Sequence, residues 1–289
     1  MKDNLKKIVI EDFESSYGKK LQNLQLSYQF FGRRLGTAPI ILINHALTGN
    51  SVVSGEDGWW SEIVGINKAI DLNKFTLLCI NIPGNGFNEE NFNFSVELNL
   101  GDIAHIFIKA LDKLKISKLY AIIGGSIGGC LTWEMAAIKN DIAEKIIPVA
   151  SDWKANDWVI ANTFLQDRIL ENSKDPIGDA RIHAMTFYRT PESLNHRFSR
   201  SKNIEKGIYN VESWLNHHAI KLNQRFSLNS YKFLNKLLRS ADITRDDSRL
   251  ESKIMRSKSE IYIISVDSDI FFLPDEDRIT TQRLKKTKS

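Results

Sequence analysis

Ser126 stands in the run Gly124-Gly125-Ser126-Ile127-Gly128-Gly129, which has the spacing G-x-S-x-G. An apolar, β-branched run at 119–123 precedes it and a helical period at 130–139 follows. A serine at such a strand-to-helix turn is lifted above the edge of a sheet, where its hydroxyl can attack an acyl carbon. The turn is sharp and its backbone strained, so positions 124 and 128 need glycine for the neighbouring chains to approach closely. The helix that starts behind the serine aims amide donors and the positive end of its dipole at the reacting centre. A glycine-rich phosphate cradle is the competing reading. The P-loop lysine is absent, and the glycines do not follow G-x-G-x-x-G.

Two further segments fit the same chemistry. Asn44-His45-Ala46-Leu47-Thr48-Gly49 follows an apolar strand at 40–44. A loop after that strand supplies one oxyanion donor and the residue after the nucleophile supplies the other, which nominates the backbone N–H groups of Leu47 and Ile127. His45 lies within this loop, ahead of the nucleophile, and is read as structural. Near the end, Ser265–Pro274 (SVDSDIFFLP) closes a late strand. An acid there suits a triad carboxylate that orients a histidine. Asp269 is the candidate, with Asp267 as its alternative.

These groups must be positioned by a sheet. The runs at 7–13 and 25–31 alternate apolar and polar residues, as half-exposed antiparallel strands do. Those at 40–44, 75–82 and 119–123 are nearly all apolar and suit central strands covered on both faces. A helix at 98–114 carries one apolar stripe, and another strand is expected at 145–149. This alternation makes the chain an α/β protein with a mostly parallel sheet. From 152 to 249 only helical periods occur, clearest at 211–226 and 229–238. A strand pattern returns at 260–266, and 275–287 reads as a helix. The expected organisation is a core (1–151), a helical cap (152–249) and a second part of the core (250–289).

Composition narrows the class. Hydrophobic residues at 42% and charged residues at 26% exclude a disordered chain, and no apolar run is long enough to span a membrane. The net charge of +4 includes basic residues at 197–206 and 283–288, read as solvated faces rather than a nucleic-acid surface. Two cysteines, Cys79 and Cys130, fall in apolar runs and suit a reducing, cytoplasmic setting.

Taken together, these segments resemble the homoserine O-acyltransferases of the α/β-hydrolase fold, specifically the O-acetyltransferase type. The resemblance rests on HALTGNS (45–51), GWW (58–60), NIPGNG (81–86), GGSIGG (124–129), DARIHAMTFYRTPES (179–193), VESWLNHH (211–218) and DSDIFFLP (267–274). It implies ping-pong transfer from acetyl-CoA to the hydroxyl of L-homoserine, in methionine synthesis, through an acyl-Ser126. No metal or organic cofactor is implied. A homodimer through the cap helices is expected, with the amphipathic 211–226 segment suited to it, and no nucleic-acid or membrane partner. The family's substrate-carboxylate arginine lies on the first cap helix. Here the pattern position carries Asp167, and Arg168 follows as the candidate. The family's triad histidine follows its aspartate in a G-H-D sequence, but no histidine occurs beyond His218. His183, His196, His217 and His218 fall in the cap, and His105 in the crossover helix. The expectation is therefore an acyltransferase lacking its last segment, nearly inactive in this form, with the final sheet edge exposed. A serine esterase or thioesterase of the same fold, and a binding protein that keeps the pocket without the base, are the alternatives.

Overall fold

The computed structural model describes residues 5–87, 92–246, 249–254 and 257–286. Its central sheet is built from β1 (Lys6–Glu14), β2 (Lys20–Gly32), β3 (Ile40–Asn44), β4 (Thr76–Ile80), β5 (Leu119–Gly125), β6 (Ala143–Val149) and β7 (Glu260–Ile261). They lie in the order β1-β2-β4-β3-β5-β6-β7, antiparallel from β1 through β4 and parallel thereafter. Strands β3 and β4 are nearly all apolar because the sheet is covered on both sides there.

The period of two sorts their side chains between layers. Leu42, Leu78 and Ile122 join one cluster with helices α1 (Leu100–Lys113) and α2 (Ile127–Ile138). Ile41, Ile43, Leu77, Cys79 and Ala121 join a second cluster with Val53, Val64 and Ile70. That second layer is the irregular segment between β3 and β4, where Trp59 and Trp60 stack at 5.1 Å against the cluster. Helix α1 starts at Asn99, which forms a capping box with Asp102. The same Asp102 carboxylate accepts from Ser16 N and Oγ, fastening the β1–β2 turn to the helix.

Between β6 and β7 run α3 (Asp157–Asn172), α4 (Pro176–Met185), α5 (Pro191–Phe198), α6 (Asn210–Asn223) and α7 (Leu228–Arg239), followed by the short α8 (Leu250–Ile254). A two-residue ladder, Lys202–Asn203 with Ile208–Tyr209, interrupts the helices. The helical reading of this stretch missed it because a ladder so short has no period, only a turn at Gly207 with φ 67°. The helical layer is tied to the sheet by Glu134 of α2, which is 1% exposed and accepts from Arg245 Nη1 at 2.8 Å and Asp242 N at 3.1 Å. The last strand is shorter than its 260–266 pattern. Two residues pair with β6 and a single bridge joins Val149 and Ile264, leaving Tyr262, Ile264 and Val266 about half exposed. Helix α9 (Pro274–Lys286) follows, held by Trp153 Nε1 donating to Thr280 Oγ1 at 3.0 Å.

Candidate active site

Ser126 caps α2 with φ 56° and ψ −128°, a conformation that a non-glycine residue adopts only when its surroundings impose it. The surroundings do. Ser126 N donates to Val149 O on β6, and Ser126 O accepts from Gly129 N and Cys130 N at 2.8 and 3.0 Å. A Cβ on Gly124 would overlap the Gly128 carbonyl oxygen, and one on Gly128 would overlap the Asn44 carbonyl oxygen. The side chain of Ser126 makes no capping bond, so its hydroxyl is left for chemistry. Ile127 is the first residue of α2, where a backbone N–H has no acceptor within the helix.

The hydroxyl faces a cavity of about 390 Å³. Leu47 and Thr48 line it from the loop after β3, and Asp269, Phe271 and Phe272 line it from the loop after β7. Thus Ser126, Leu47 and Asp269, which are far apart in sequence, meet at one end of the sheet. Asp269 Oδ1 accepts from the amides of Phe271 and Phe272 at 2.8 and 3.0 Å, which fixes its carboxylate. Asp267 does not reach the cavity. Its side chain is 97% exposed and faces Arg278 at 3.9 Å.

His45 is fully buried and committed on both nitrogens. Nδ1 donates to Ala46 O at 2.8 Å and Nε2 accepts from Ile82 N at 2.9 Å. Burial pushes its pKa down to about 4, so it stays neutral and shapes the loop.

Arg168 lies away from the cavity. Its side chain is 60% exposed beside Glu171, whereas Asp167 turns inward to Arg239 at 2.7 Å and Asn235 at 2.7 Å. The reason is the helical turn of about 100° per residue: with Asp167 latching α3 to α7, Arg168 must face solvent.

The cap wall holds residues that motif reasoning did not single out. Asn162, Thr163 and Gln166 of α3, His183 of α4, and Tyr231 and Asn235 of α7 line the cavity. Gln166 Nε2 donates to Ala180 O at 3.1 Å and to His183 Nδ1 at 2.7 Å. His183 therefore carries its proton on Nε2, and burial holds its pKa below the usual imidazole range. Beside the wall, the Arg181 guanidinium lies over the Tyr188 ring at 5.1 Å, and its buried Nε has no hydrogen-bond partner. Arg225 Nη1 donates to Thr48 O at 2.8 Å, in the loop after β3. Asp152, 7% exposed, was missed as well. Burial, reinforced by the carboxylates of Asp277, Glu276 and Asp269, raises its pKa to about 7. Among the described residues no group of three or more His, Cys, Asp or Glu is arranged to hold a metal ion.

A family model for the alpha/beta hydrolase fold matches residues 39–288. Homoserine O-acetyltransferase of Corynebacterium diphtheriae is 30% identical over 299 residues, covering 91% of this chain and 80% of that protein. The chain belongs to this family. The homoserine O-acetyltransferase of Trichormus variabilis is 27% identical over 291 residues, covering 91% of this chain and 80% of its own. Among solved structures, homoserine O-acetyltransferase from Staphylococcus aureus superposes with a TM-score of 0.85 at 24% identity, covering 97% of this chain and 85% of that one. Esterase E22 superposes with a TM-score of 0.83 at 18% identity, covering 98% and 90%. These two superpositions establish the fold. Tyr231 and Asn235 lie on α7, whereas the lining residues of α3 and α4 lie in the segments at 158–168 and 179–189. The signal that could have found them was therefore present as a segment, without a period to say which residues turn inward.

Proposed function

We propose that this chain performs acyl transfer of the homoserine O-acetyltransferase type. Ser126 Oγ attacks the thioester carbonyl of acetyl-CoA, the negative charge resting on the N–H groups of Leu47 and Ile127. Collapse releases the thiol, which takes up the proton that left Ser126. The side-chain hydroxyl of L-homoserine then attacks the acyl-Ser126, and its proton returns to the serine. O-acetylhomoserine leaves, and its formation would serve methionine synthesis in the cytoplasm. The observation that carries this reading is Ser126, in its strained turn, sharing one cavity with Leu47 and Asp269 in a chain of this family. The homodimer is proposed on the same family ground, through the cap helices.

The acceptor carboxylate is proposed to lie toward Arg181 and Arg225 in place of Arg168, because those two cations stand beside Tyr188 and Thr48 of the cavity lining. Asp269 would orient an imidazole that serves as base. The two histidines beside the site are committed elsewhere, His45 to its loop and His183 Nδ1 to Gln166. Turnover by these residues alone is therefore proposed to be slower by several powers of ten than with a complete triad.

Intact-mass spectrometry after mixing with acetyl-CoA tests the first half-reaction. The expected result is a single acetyl adduct on Ser126 that is discharged faster when homoserine is added. Discharge at the same rate without homoserine would favour the esterase reading. No adduct at any pH, with the ligands still bound, would favour a binding protein.

A further inference from the structure

Two of the cap's basic residues, Arg197 and Lys206, are brought together by the fold in one groove. Between 181 and 225 the chain has eight Lys or Arg against three Glu, an excess larger than its whole net charge of +4. A groove of about 580 Å³ lies between α5, the short ladder and α6, lined by Arg197, Lys206, Ser213, Trp214 and His217 among others, with no acidic side chain in its lining. None of the ion pairs among the described residues involves Arg181, Arg197, Lys206 or Arg225. Arg197 instead lies over the rings of Trp214 and Phe198, at 5.7 and 5.5 Å. Lys206 Nζ reaches Ser213 Oγ at 3.4 Å, and the nearby Glu212 is occupied in capping α6 by accepting from Tyr209 N. Cations held beside an indole face and hydroxyls are a setting for a phosphorylated, ring-bearing ligand.

Side-chain contacts extend from the groove toward the cavity that Ser126 lines. Trp214 meets His218 edge-to-face at 4.7 Å. Burial, and then the charges of Arg181, Lys221 and Arg197 among others, hold His218 below the usual imidazole pKa. Arg181 in turn covers Tyr188, which lines the catalytic cavity.

We propose that this groove binds the nucleotide phosphates of the acyl donor, with Arg197 and Lys206 as the phosphate contacts and Trp214 as the stacking face. The uncharged pantetheine arm would then run past His218, Arg181 and Tyr188 to deliver the thioester to Ser126. The inference rests on the acyl-CoA reading above for the identity of the ligand.

Titration calorimetry on the full chain, with coenzyme A, pantetheine and inorganic pyrophosphate as probes, tests it. Coenzyme A should bind at least about tenfold more tightly than pantetheine, with the preference shrinking as salt rises. In Arg197→Ala/Lys206→Ala the affinity for coenzyme A should fall about tenfold or more while that for pantetheine holds. Arg168→Ala removes a cation from the solvent face of α3 and should change neither. Equal coenzyme A affinity in the double variant and the unmodified chain overturns the proposal, as does a chain that does not bind coenzyme A. Pyrophosphate binding as tight as coenzyme A overturns it too, by making the groove a site for any anion. A chain that binds coenzyme A through these two cations yet forms no acyl-Ser126 would overturn the acyltransferase reading and leave the groove assignment standing.

Discussion

The two sides of the cavity that Ser126 lines are built differently. On the sheet side, the strained turn at Ser126 is enforced by backbone atoms within a few residues of it or in the adjacent strands. On the cap side, Gln166, His183, Tyr231 and Asn235 come from three helices and are positioned by bonds such as Gln166 to Ala180 O and Asn235 to Thr163 O. The first side is a backbone device that needs these glycines and the two strands packed against them. The second depends on how helices pack, so it can vary while the chemistry stays fixed. On a shared fold, function is set by the site residues placed on it.

The largest effect should come from the local side. Ser126→Ala is expected to abolish the acetyl adduct while leaving the circular dichroism spectrum and thermal midpoint unchanged. An adduct that persists in this variant would move the nucleophile elsewhere. Asp269→Asn should lower the acylation rate by a factor on the order of 10⁴ once a base is present, by leaving the imidazole in the wrong tautomer. Asp267→Asn, on an exposed side chain, should leave that rate within about twofold. Equal losses in the two variants would mean that the loop after β7 is seated differently.

Gly128→Ala tests the backbone argument by stability. The added methyl would overlap Asn44 O, and a loss of about 3 kcal/mol or more, or failure to fold, is expected from denaturant unfolding. A nearly neutral substitution would show that the turn has more room than the geometry allows.

Asp152 offers a pH test of the junction between the two sides. Its folded pKa of about 7 lies above its ordinary carboxyl value, so between those limits the folded state binds more protons than the unfolded one. Stability should therefore fall as pH rises from about 4 to about 7 and flatten above that, by at most about 4 kcal/mol at roughly 1.4 kcal/mol per unit. Asp277, also raised by burial first, adds in the same direction. Asp152→Asn should remove most of this slope and stabilise the chain at pH 8, measured by urea unfolding across the range. A slope unchanged by the substitution would assign it to other carboxylates.

The smallest effect is expected at Arg168→Ala, within about 0.5 kcal/mol in stability and without change in substrate affinity, because its side chain faces solvent next to Glu171. A clear loss of homoserine affinity would instead return that residue to the site.

Much of the framework was legible in the chain itself. The strand predicted at 40–44 is β3, and the helix predicted at 98–114 contains α1 with its Asn99 cap, because buried parallel strands and capped amphipathic helices leave strong periods. That Ser126 and Leu47 would meet was legible for a related reason: each lies in a short turn or loop directly after a strongly apolar strand. The covering segment between β3 and β4 and the short ladder at 202–209 were not legible, since neither has a period.

The choice between Asp167 and Arg168 turned on a single helical step. Alternation along a strand did not separate Asp267 from Asp269 either, because both lie in a loop rather than a ladder. In each case the answer came from a partner distant in sequence or from the seating of a loop: Arg239 on α7 for Asp167, and the amides of Phe271 and Phe272 for Asp269. The sequence by itself determined the sheet and the strand-to-helix turn at Ser126, because these rest on hydrophobic period and on the steric needs of glycine. Tertiary structure alone decided which cap side chains face the cavity, why the Asp152 pKa is raised, and that Arg197 and Lys206 share one groove. Those properties arise from burial and charge summed over distant elements, and no local pattern encodes them.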